Sequence, residues 1–435
     1  MNSFESWGRV PRLQQSEAVI PWIEPKSVIE HFKSSKSSSL PVGMGRSYGD
    51  SCLAPKDGQI ISVLGHSRIL SFDQNTGVIR CQSGITFDDL LNFCIPKKWF
   101  LPVSPGTKYI TLGGAVANDV HGKNHHKRGN FGHWVKSLQL IRSNGEVITC
   151  SQNNNSDYFK ATVGGLGLTG IIDWVEFQLI PIDSSYLDVE IIPFSNVEKY
   201  FDLSEASQDF EYTVSWVDTQ SEDTHLGRGL YIRGNHSKKS AGLDLHRQKF
   251  GFPLEMPEFL VNSLTSKVFN SVYYRKTFLK PKELLQHYDP FFYPLDAIRS
   301  WNKVYGKRGF YQYQCVLPPS HARKGTIQLL EMVSRSGLSS PLTVLKDFGD
   351  LPSLGFLSFP RAGTTLALDI PNTGSESLNL MQKMDDVVLG SGGAIYPAKD
   401  ARMSKEMFKK SFPQLDTFLK FKDPKLTSHF FERVT

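Results

Sequence analysis

The sequence predicts an α+β fold in two domains, and three observations carry that prediction. The chain has 435 residues, more than one ordinary core accommodates. Up to about residue 185, short strand-like runs and helical patterns are interleaved with glycine-rich turns, whereas beyond it strand-like runs alternate with longer amphipathic stretches. A match to G-x-G-x-x-G at Gly165, Gly167 and Gly170 follows a helical pattern and precedes the strand-like IIDWVEFQLIPI. A doubly wound nucleotide-binding unit needs strand, turn and helix in that order, so it is disfavoured.

Taken in order, AVIPWIEP is a candidate edge strand and PKSVIEHFKSSKSSS a helix. QIISVLG is strand-like, and RILSFDQNTGVIRCQSG reads as two strands around Asn75-Thr76-Gly77. ITFDDLLNFCIPKKW has apolar residues at helical spacing, and VKSLQLIRSNGEVITCS is a hairpin turning at Asn144-Gly145. In the second half YLDVEIIPF, FEYTVSWVDT, GRGLYIRG, GFYQYQCVLP and TTLALDIP are strands. The stretch GFPLEMPEFLVNSLTSKVFNSVYYRK is apolar for a connection and reads either as a helix packed on the core or as a lid facing lipid. The C-terminal part is basic and helical: residues 402–425 hold seven Lys/Arg against three Asp/Glu, a net of +4. A solvated helical face accounts for that excess, and attraction to an anionic membrane is the alternative.

A hydrophobic content of 40% with 21% charged residues describes a folded globular chain, not a disordered one. The formal charge of +6 suits an anionic ligand, but the basic residues are not clustered densely enough for a nucleic-acid surface. Five widely spaced cysteines with no C-x-x-C pair indicate neither a zinc ribbon nor a disulfide framework, and they fit a reducing compartment. MNSFESWGRVPRLQQ lacks the basic and apolar regions of a signal peptide, and no run of about 18 apolar residues occurs. The expectation is a cytoplasmic protein, or one peripheral to the cytoplasmic membrane.

The stretch VGMGRSYGDS encloses Arg46, Ser47 and Tyr48 between Gly43, Gly45 and Gly49. It reads either as a tight surface turn or as a backbone cradle for phosphate, with N–H groups facing the ligand and Arg46 adding charge. A second glycine-rich region, FLPVSPGTKYITLGGAVANDVHGKNHHKRGNFG, contains a short apolar segment and then His121, His125 and His126. Metal binding there is disfavoured, because no carboxylate accompanies the histidines and Lys123 between them repels a cation.

Three glycine-rich turns before residue 175, embedded in short strands, resemble the flavoenzymes of the vanillyl-alcohol oxidase and p-cresol methylhydroxylase type. The likeness narrows on GRSYGD, HGKNHH, ATVGGLGLTGII, WNKVYG with GFYQYQ, and YPAKDAR. Together and in this order they resemble the decaprenylphosphoryl-β-D-ribose 2′-oxidase family, from about Gly43 to the C-terminus. The resemblance implies an FAD-binding domain of two subdomains over residues 1–185. It implies an α+β substrate domain with a mainly antiparallel sheet over 186–393, and a return of 394–435 to the first domain. It also implies oxidation of the 2-hydroxyl of a polyprenyl-phosphoryl ribose to the 2-keto sugar, the first half of an epimerisation that a short-chain NAD(P)H-dependent reductase completes. The alternative within the same fold is oxidation of a free polyol or aldonolactone.

The resemblance also distributes roles. FAD is implied to lie against Gly43, Gly45, Arg46, Ser47 and Tyr48, with Gly106, Thr107, Thr111, Gly113, Gly114, Ala117, Asn118, His121 and Gly122 forming a second wall. In that wall the amides of Gly113, Gly114 and Ala115 face the pyrophosphate and flavin. Gly165, Gly170 and Ile172 form a third wall, joined by Tyr396 and Lys399. Arg46 stands where related lactone and alditol oxidases carry a histidine bonded covalently to the flavin, so the FAD is expected to be non-covalent. A C-terminal H-W-G-K string of those relatives is absent as well, the chain closing on FFERVT. Lys399 and His121 are the candidate catalytic residues, since a desolvated lysine accepts or orients a hydroxyl proton. Tyr48, Lys123, Trp216, Gln312, Gln314, Lys346 and Phe348 correspond to the family's substrate pocket, with Lys123 set to meet substrate phosphate. Thr365 and Ala367 stand there in place of the asparagine and cysteine of actinobacterial relatives, so a cysteine-directed covalent inhibitor has no target. No metal is expected.

Overall fold

The structure, a computed structural model, describes residues 4–13, 15, 19–22, 24–238, 242–245, 250–251, 270–275, 277, 283–338, 340 and 342–435. Most of the apolar stretch over 251–276 therefore lies outside the described residues. Near the N-terminus, Gln59–Ser62 is the middle strand of a three-stranded parallel sheet, flanked by Val19–Pro21 and Ser39–Val42. The helix Pro25–Ser34 begins on a proline that spends no needed N–H and buries Val28 and Phe32. A five-stranded antiparallel sheet follows, in the order Ile69–Phe72, Val78–Gln82, Ile171–Gln178, Val135–Ile141, Val147–Cys150. The helix Phe87–Cys94 against it is started by a Thr86/Asp89 capping box. Both hairpins turn where the sequence indicates, with Gly77 and Gly145 at φ +72° and +88°.

The second half builds an eight-stranded antiparallel sheet. Its spatial order is Glu283–His287, Tyr186–Phe194, Gly229–His236, Tyr212–Val217, Thr343–Phe348, Gly363–Pro371, Phe310–Leu317, Ala394–Ile395. The helices Val197–Glu205, Ala322–Arg335 and Ser375–Gly390 cover one face, where Tyr200, Tyr231, Tyr313, Leu345, Leu366, Leu368 and Met384 share a core. Strand alternation sends Gln312, Gln314, Val344, Lys346, Thr365, Ala367 and Asp369 to the opposite face. The mixed helix and antiparallel-sheet content is that of an α+β protein. The strand Ala394–Ile395 pairs with Cys315 and Val316, so the stretch after residue 393 begins as the edge of the large sheet.

The basic C-terminal stretch forms three short helices, Lys405–Ser411, Leu415–Leu419 and His429–Val434, interrupted around Pro413 and Pro424. Met407, Phe408, Phe418, Phe430 and Phe431 are buried beneath them while Lys405, Lys409, Lys410 and Lys420 stay exposed. The last helix returns to the N-terminal half: the His429 N–H donates to the Leu53 carbonyl at 2.9 Å. Asp50, fully buried, accepts from His429 Nδ1 at 2.7 Å and from Arg433 Nη2 at 2.8 Å, and the same guanidinium reaches Asp400 at 2.9 Å. Burial pushes the Asp50 carboxyl up, but the hydrogen bonds from His429 and Arg433 outweigh it and leave the group below its ordinary range.

Arg433→Met leaves Asp50 and Asp400 without their shared cation, and the expected loss is about 3–5 kcal/mol, read as a lower urea midpoint. Because Asp50 is depressed in the folded state, its contribution is present above the ordinary carboxyl pKa and disappears as pH falls through the folded value. The gap between wild type and variant should therefore narrow in acid; an unchanged midpoint at neutral pH contradicts the assignment.

Candidate active site

A cavity of about 1210 Å³ lies between the polar face of the large sheet and the loops of the N-terminal half. That exceeds the ~300–1,000 Å³ of an ordinary small-ligand site, so it has room for a dinucleotide and part of a second ligand. Its first wall is the loop Gly43–Tyr48, and the glycines there have distinct reasons. A Cβ on Gly43 would collide with the Thr111 side chain, Gly45 has φ +59°, and a Cβ on Gly49 would collide with the Asp400 carbonyl. The Tyr48 N–H donates to the Ala398 carbonyl at 2.9 Å, so this loop is docked directly on the segment carrying Lys399. Among the described residues no protein acceptor takes the backbone N–H of Met44, Gly45, Arg46 or Ser47. Arg46 donates to its own loop at the Met44 carbonyl, 2.9 Å away, and its guanidinium lies 4.2 Å from the centroid of the Trp7 ring.

The second wall differs from expectation in one respect. The amides of Gly113, Gly114 and Ala115 do not face the cavity as free donors. They donate to the Ser83 carbonyl at 2.8 Å, the Thr111 hydroxyl at 3.2 Å and the Thr111 carbonyl at 2.9 Å. Thr111 caps the helix Leu112–Ala117 and consumes the latter two, while Ser83 takes the first. The wall offers other groups: a Cβ on Gly106 would meet nothing within 4 Å, and the buried hydroxyls of Ser51 and Ser83 line the cavity without a partner among the described residues. Unclaimed N–H groups along one loop, two orphaned hydroxyls and a volume of this size fit a nucleotide cofactor.

At the other end, Lys399 Nζ sits 3.8 Å from the centroid of the Tyr48 ring. Burial pulls this lysine down to about 7, against the opposing pull of Asp369. Burial in turn raises Asp369 to about 7, opposed by a hydrogen bond from Gln312 Nε2 at 2.7 Å, with Tyr305 Oη 3.3 Å away. His121 lies 3.0 Å from Gln314 Nε2 through Nε2 and 2.8 Å from Lys346 Nζ through Nδ1, and burial holds it well below the ordinary histidine range. Lys123, lowered to about 8 by burial, donates to the Phe292 carbonyl at 3.2 Å and has no carboxylate partner among the described residues. Beside it Ile191, Val214, Trp216, Ile232, Leu284 and Phe291 give the cavity an apolar flank. His125 and His126 point elsewhere, to the Gly349 amide and the Phe210 carbonyl.

Of the residues that the resemblance gives a cofactor, catalytic or substrate role, all but Ala115, Gly165 and Phe348 border this cavity. Gly165 does not, because a Cβ there would run into the Ala161 carbonyl and then the Phe418 ring; Gly167, φ +76°, lines the wall instead. Phe348 backs the wall, with its ring 4.8 Å from His121 and 4.3 Å from His125. Asp369, Trp7 and Asp296 were missed. Asp369 had a visible signal, being two residues beyond Ala367 on the same strand face; Trp7 and Asp296 arrive through tertiary docking and had none.

Comparison with known proteins bears on what fills this space. Residues 24–151 match the model of the FAD binding domain family. The chain is 34% identical over 394 residues to the decaprenylphosphoryl-beta-D-ribose oxidase of Mycolicibacterium smegmatis, covering 87% of this chain and 84% of that one. It is 27% identical over 350 residues to an uncharacterized protein of Streptomyces coelicolor, covering 77% and 94%. To the D-lactate dehydrogenase of Anaerostipes hadrus it is 26% identical over 220 residues, 48% and 46% of the two chains. The glycine loop, the orphaned hydroxyls and the length of the first match agree: this chain belongs to the decaprenylphosphoryl-β-D-ribose oxidase family and is an FAD-dependent oxidoreductase.

Proposed function

We propose that the protein oxidises the 2-hydroxyl of a polyprenyl-phosphoryl ribose to the 2-keto sugar, the step that opens an epimerisation to the arabinose form. The observation that carries this reading is the make-up of the cavity described above. The loop Gly43–Ser47 with its unclaimed amides stands at one end, Lys399 and the two glutamines stand at the other, and Lys123 without a carboxylate lies beside an apolar flank. The Mycolicibacterium smegmatis relative, which covers 87% of this chain, is named as a decaprenylphosphoryl-beta-D-ribose oxidase.

In this reading Gly43, Gly45 and Ser47 cradle the pyrophosphate with backbone N–H groups, and Arg46, which forms no bond of the histidine type, leaves the FAD non-covalent. When bound, the flavin takes the hydride. Gln312 and Gln314 orient the sugar hydroxyls, Trp216 covers the sugar, and Lys123 meets the phosphate as a point charge. Lys399 holds the reacting hydroxyl and receives its proton. With its value near 7, a large share of the amine is free at neutral pH, and Asp369 tunes that share. The polyprenyl chain runs along Ile191, Val214 and Ile232. Among the described residues no helix is long and apolar enough to cross a membrane, and we place the enzyme at the cytoplasmic membrane face as a peripheral protein. A short-chain reductase finishes the epimerisation with NAD(P)H. The division into residues 1–185, 186–393 and 394–435 belongs to the same reading, the last segment starting on the large sheet before it returns.

Anaerobic titration tests the substrate: a polyprenyl-phosphoryl ribose should bleach the flavin, while xylitol and gulonolactone should not. The reverse pattern favours the polyol or lactone oxidase and ends this proposal. Acid precipitation should release the yellow colour into the supernatant.

Lys399→Met should lower the rate of flavin reduction at saturating substrate by about 10²–10⁴-fold with the flavin retained; full turnover removes Lys399 from the reaction. In wild type the pH profile of kcat/KM should rise through about 7, because the ammonium cannot accept a proton. Asp369→Asn removes the negative charge that favours the ammonium, so that rise should move to lower pH. A move to higher pH contradicts the role given to Asp369.

A further inference from the structure

The hydrogen bonds around His121 can be followed donor by donor, and they end at a lysine. Thr365 Oγ1 lies 2.8 Å from the Cys315 carbonyl, and in that oxygen–oxygen contact only the hydroxyl has a proton to give. Thr365 Oγ1 is thereby left as an acceptor towards Gln314, 3.2 Å away, so the Gln314 atom facing it is the amide nitrogen. That same nitrogen stands 3.0 Å from His121 Nε2 and donates its second hydrogen there. His121 Nε2 is then unprotonated, and the ring carries its proton on Nδ1. Nδ1–H points at Lys346 Nζ, 2.8 Å away, and an ammonium cannot accept a hydrogen bond. Lys346 must supply a lone pair, while one of its own N–H groups donates to the Gly122 carbonyl at 3.0 Å.

We propose that Lys346 is an unprotonated amine at neutral pH, kept so by the Thr365 hydroxyl acting through Gln314 and His121, and that it is a covalent modification site for carbon electrophiles entering the cavity. The surroundings agree. The charged and titratable groups that face it are Lys123, Lys399, His121 and His125, and among the described residues no carboxylate pairs with it. Burial, then Lys123 and Lys399, holds it well below the ordinary lysine range. Thr365 is directly opposite Lys346 in the sheet register, and Ala367, the next residue on that face, offers no competing nucleophile.

With acetic anhydride, Lys346 Nζ attacks a carbonyl carbon, the bond from that carbon to acetate breaks, and the amine proton leaves with the acetate. An amide remains. The attack gives up one neutral hydrogen bond from His121, whereas an ammonium would first have to lose a proton.

Competitive acetylation of the FAD-loaded enzyme with trace acetic anhydride across pH 5–11, followed by exhaustive labelling after unfolding and peptide mass analysis, gives a titration curve for each lysine. Lys346 should already be reactive at neutral pH. Thr365→Val removes the acceptor that fixes the amide; Gln314 can then turn its carbonyl to His121, and the tautomer reverses. Labelling of Lys346 at neutral pH should fall at least tenfold, Thr365→Ser should retain it, and labelling of Lys123 and Lys399 should not fall in either variant. Titration of Lys346 like a surface lysine, absence of labelling at every pH, equal labelling in Thr365→Val, or a fall shared by all three lysines overturns the proposal. None of these readouts depends on which sugar is oxidised.

Discussion

The contact between the glycine loop after Val42 and the segment around Lys399 is the constraint on which the rest depends. Those segments are about 350 residues apart in sequence, yet Tyr48 donates to Ala398 and Gly49 lies flush on the Asp400 carbonyl. Arg433 fastens the contact from beneath by pairing with Asp50 and Asp400 together. A loop that carries unclaimed amides is thus held in a fixed relation to a buried lysine. The glycine at 49 is required because a side chain there would push the two segments apart. Long-range closure of this kind costs chain entropy, and the buried ion cluster with the three C-terminal helices packed on the core offsets it.

The large sheet does the complementary task. Its period of two separates an apolar face, sealed by three helices, from a face that is polar around Gln312, Gln314, Thr365 and Asp369 and apolar towards Ile191 and Ile232. Cross-strand register then makes pairs of these side chains: Gln312 opposite Asp369, Gln314 opposite Ala367, Lys346 opposite Thr365. Gln312 is thereby held by Asp369 directly opposite and Gln314 by Thr365 on the neighbouring strand, while Lys346 is held from the loop by His121 and the Gly122 carbonyl.

How much of this was legible follows from which forces act locally. Strand periodicity, the turns at Gly77 and Gly145 and the strand that follows Gly170 are local, and they appear where the residues indicate. Asp369 was legible by the same periodicity that exposes Thr365 and Ala367. The fate of the Gly114 amide was also open to reading, since Thr111 precedes it at cap spacing, whereas the Gly113 amide goes to Ser83, thirty residues away. Trp7 was not legible. It reaches Arg46 because Trp7 and Gly8 donate to the Ser47 and Tyr48 carbonyls while the Phe310 N–H donates to Gly8, a three-way backbone contact with no periodic signature. The basic C-terminal stretch was legible too: its lysines are the solvated side of helices whose phenylalanines are buried, as amphipathic spacing indicates.

Three lysines share one cavity, and like charges in a low dielectric do not all remain ionised. What separates them is the company each keeps. Lys399 has Asp369 nearby, which returns part of the charge that burial removes and leaves it balanced between its two forms. Among the described residues Lys123 has only the Phe292 carbonyl and two aromatic rings, which leaves its charge without an anionic partner there. Lys346 lies between a histidine nitrogen and a backbone carbonyl, with a cationic neighbour on either side. Leaving the middle amine neutral removes the repulsion that would otherwise suppress the outer two. On the proposed reading, that is the arrangement a site needs if it is to hold a phosphate at one end and accept a hydroxyl proton at the other.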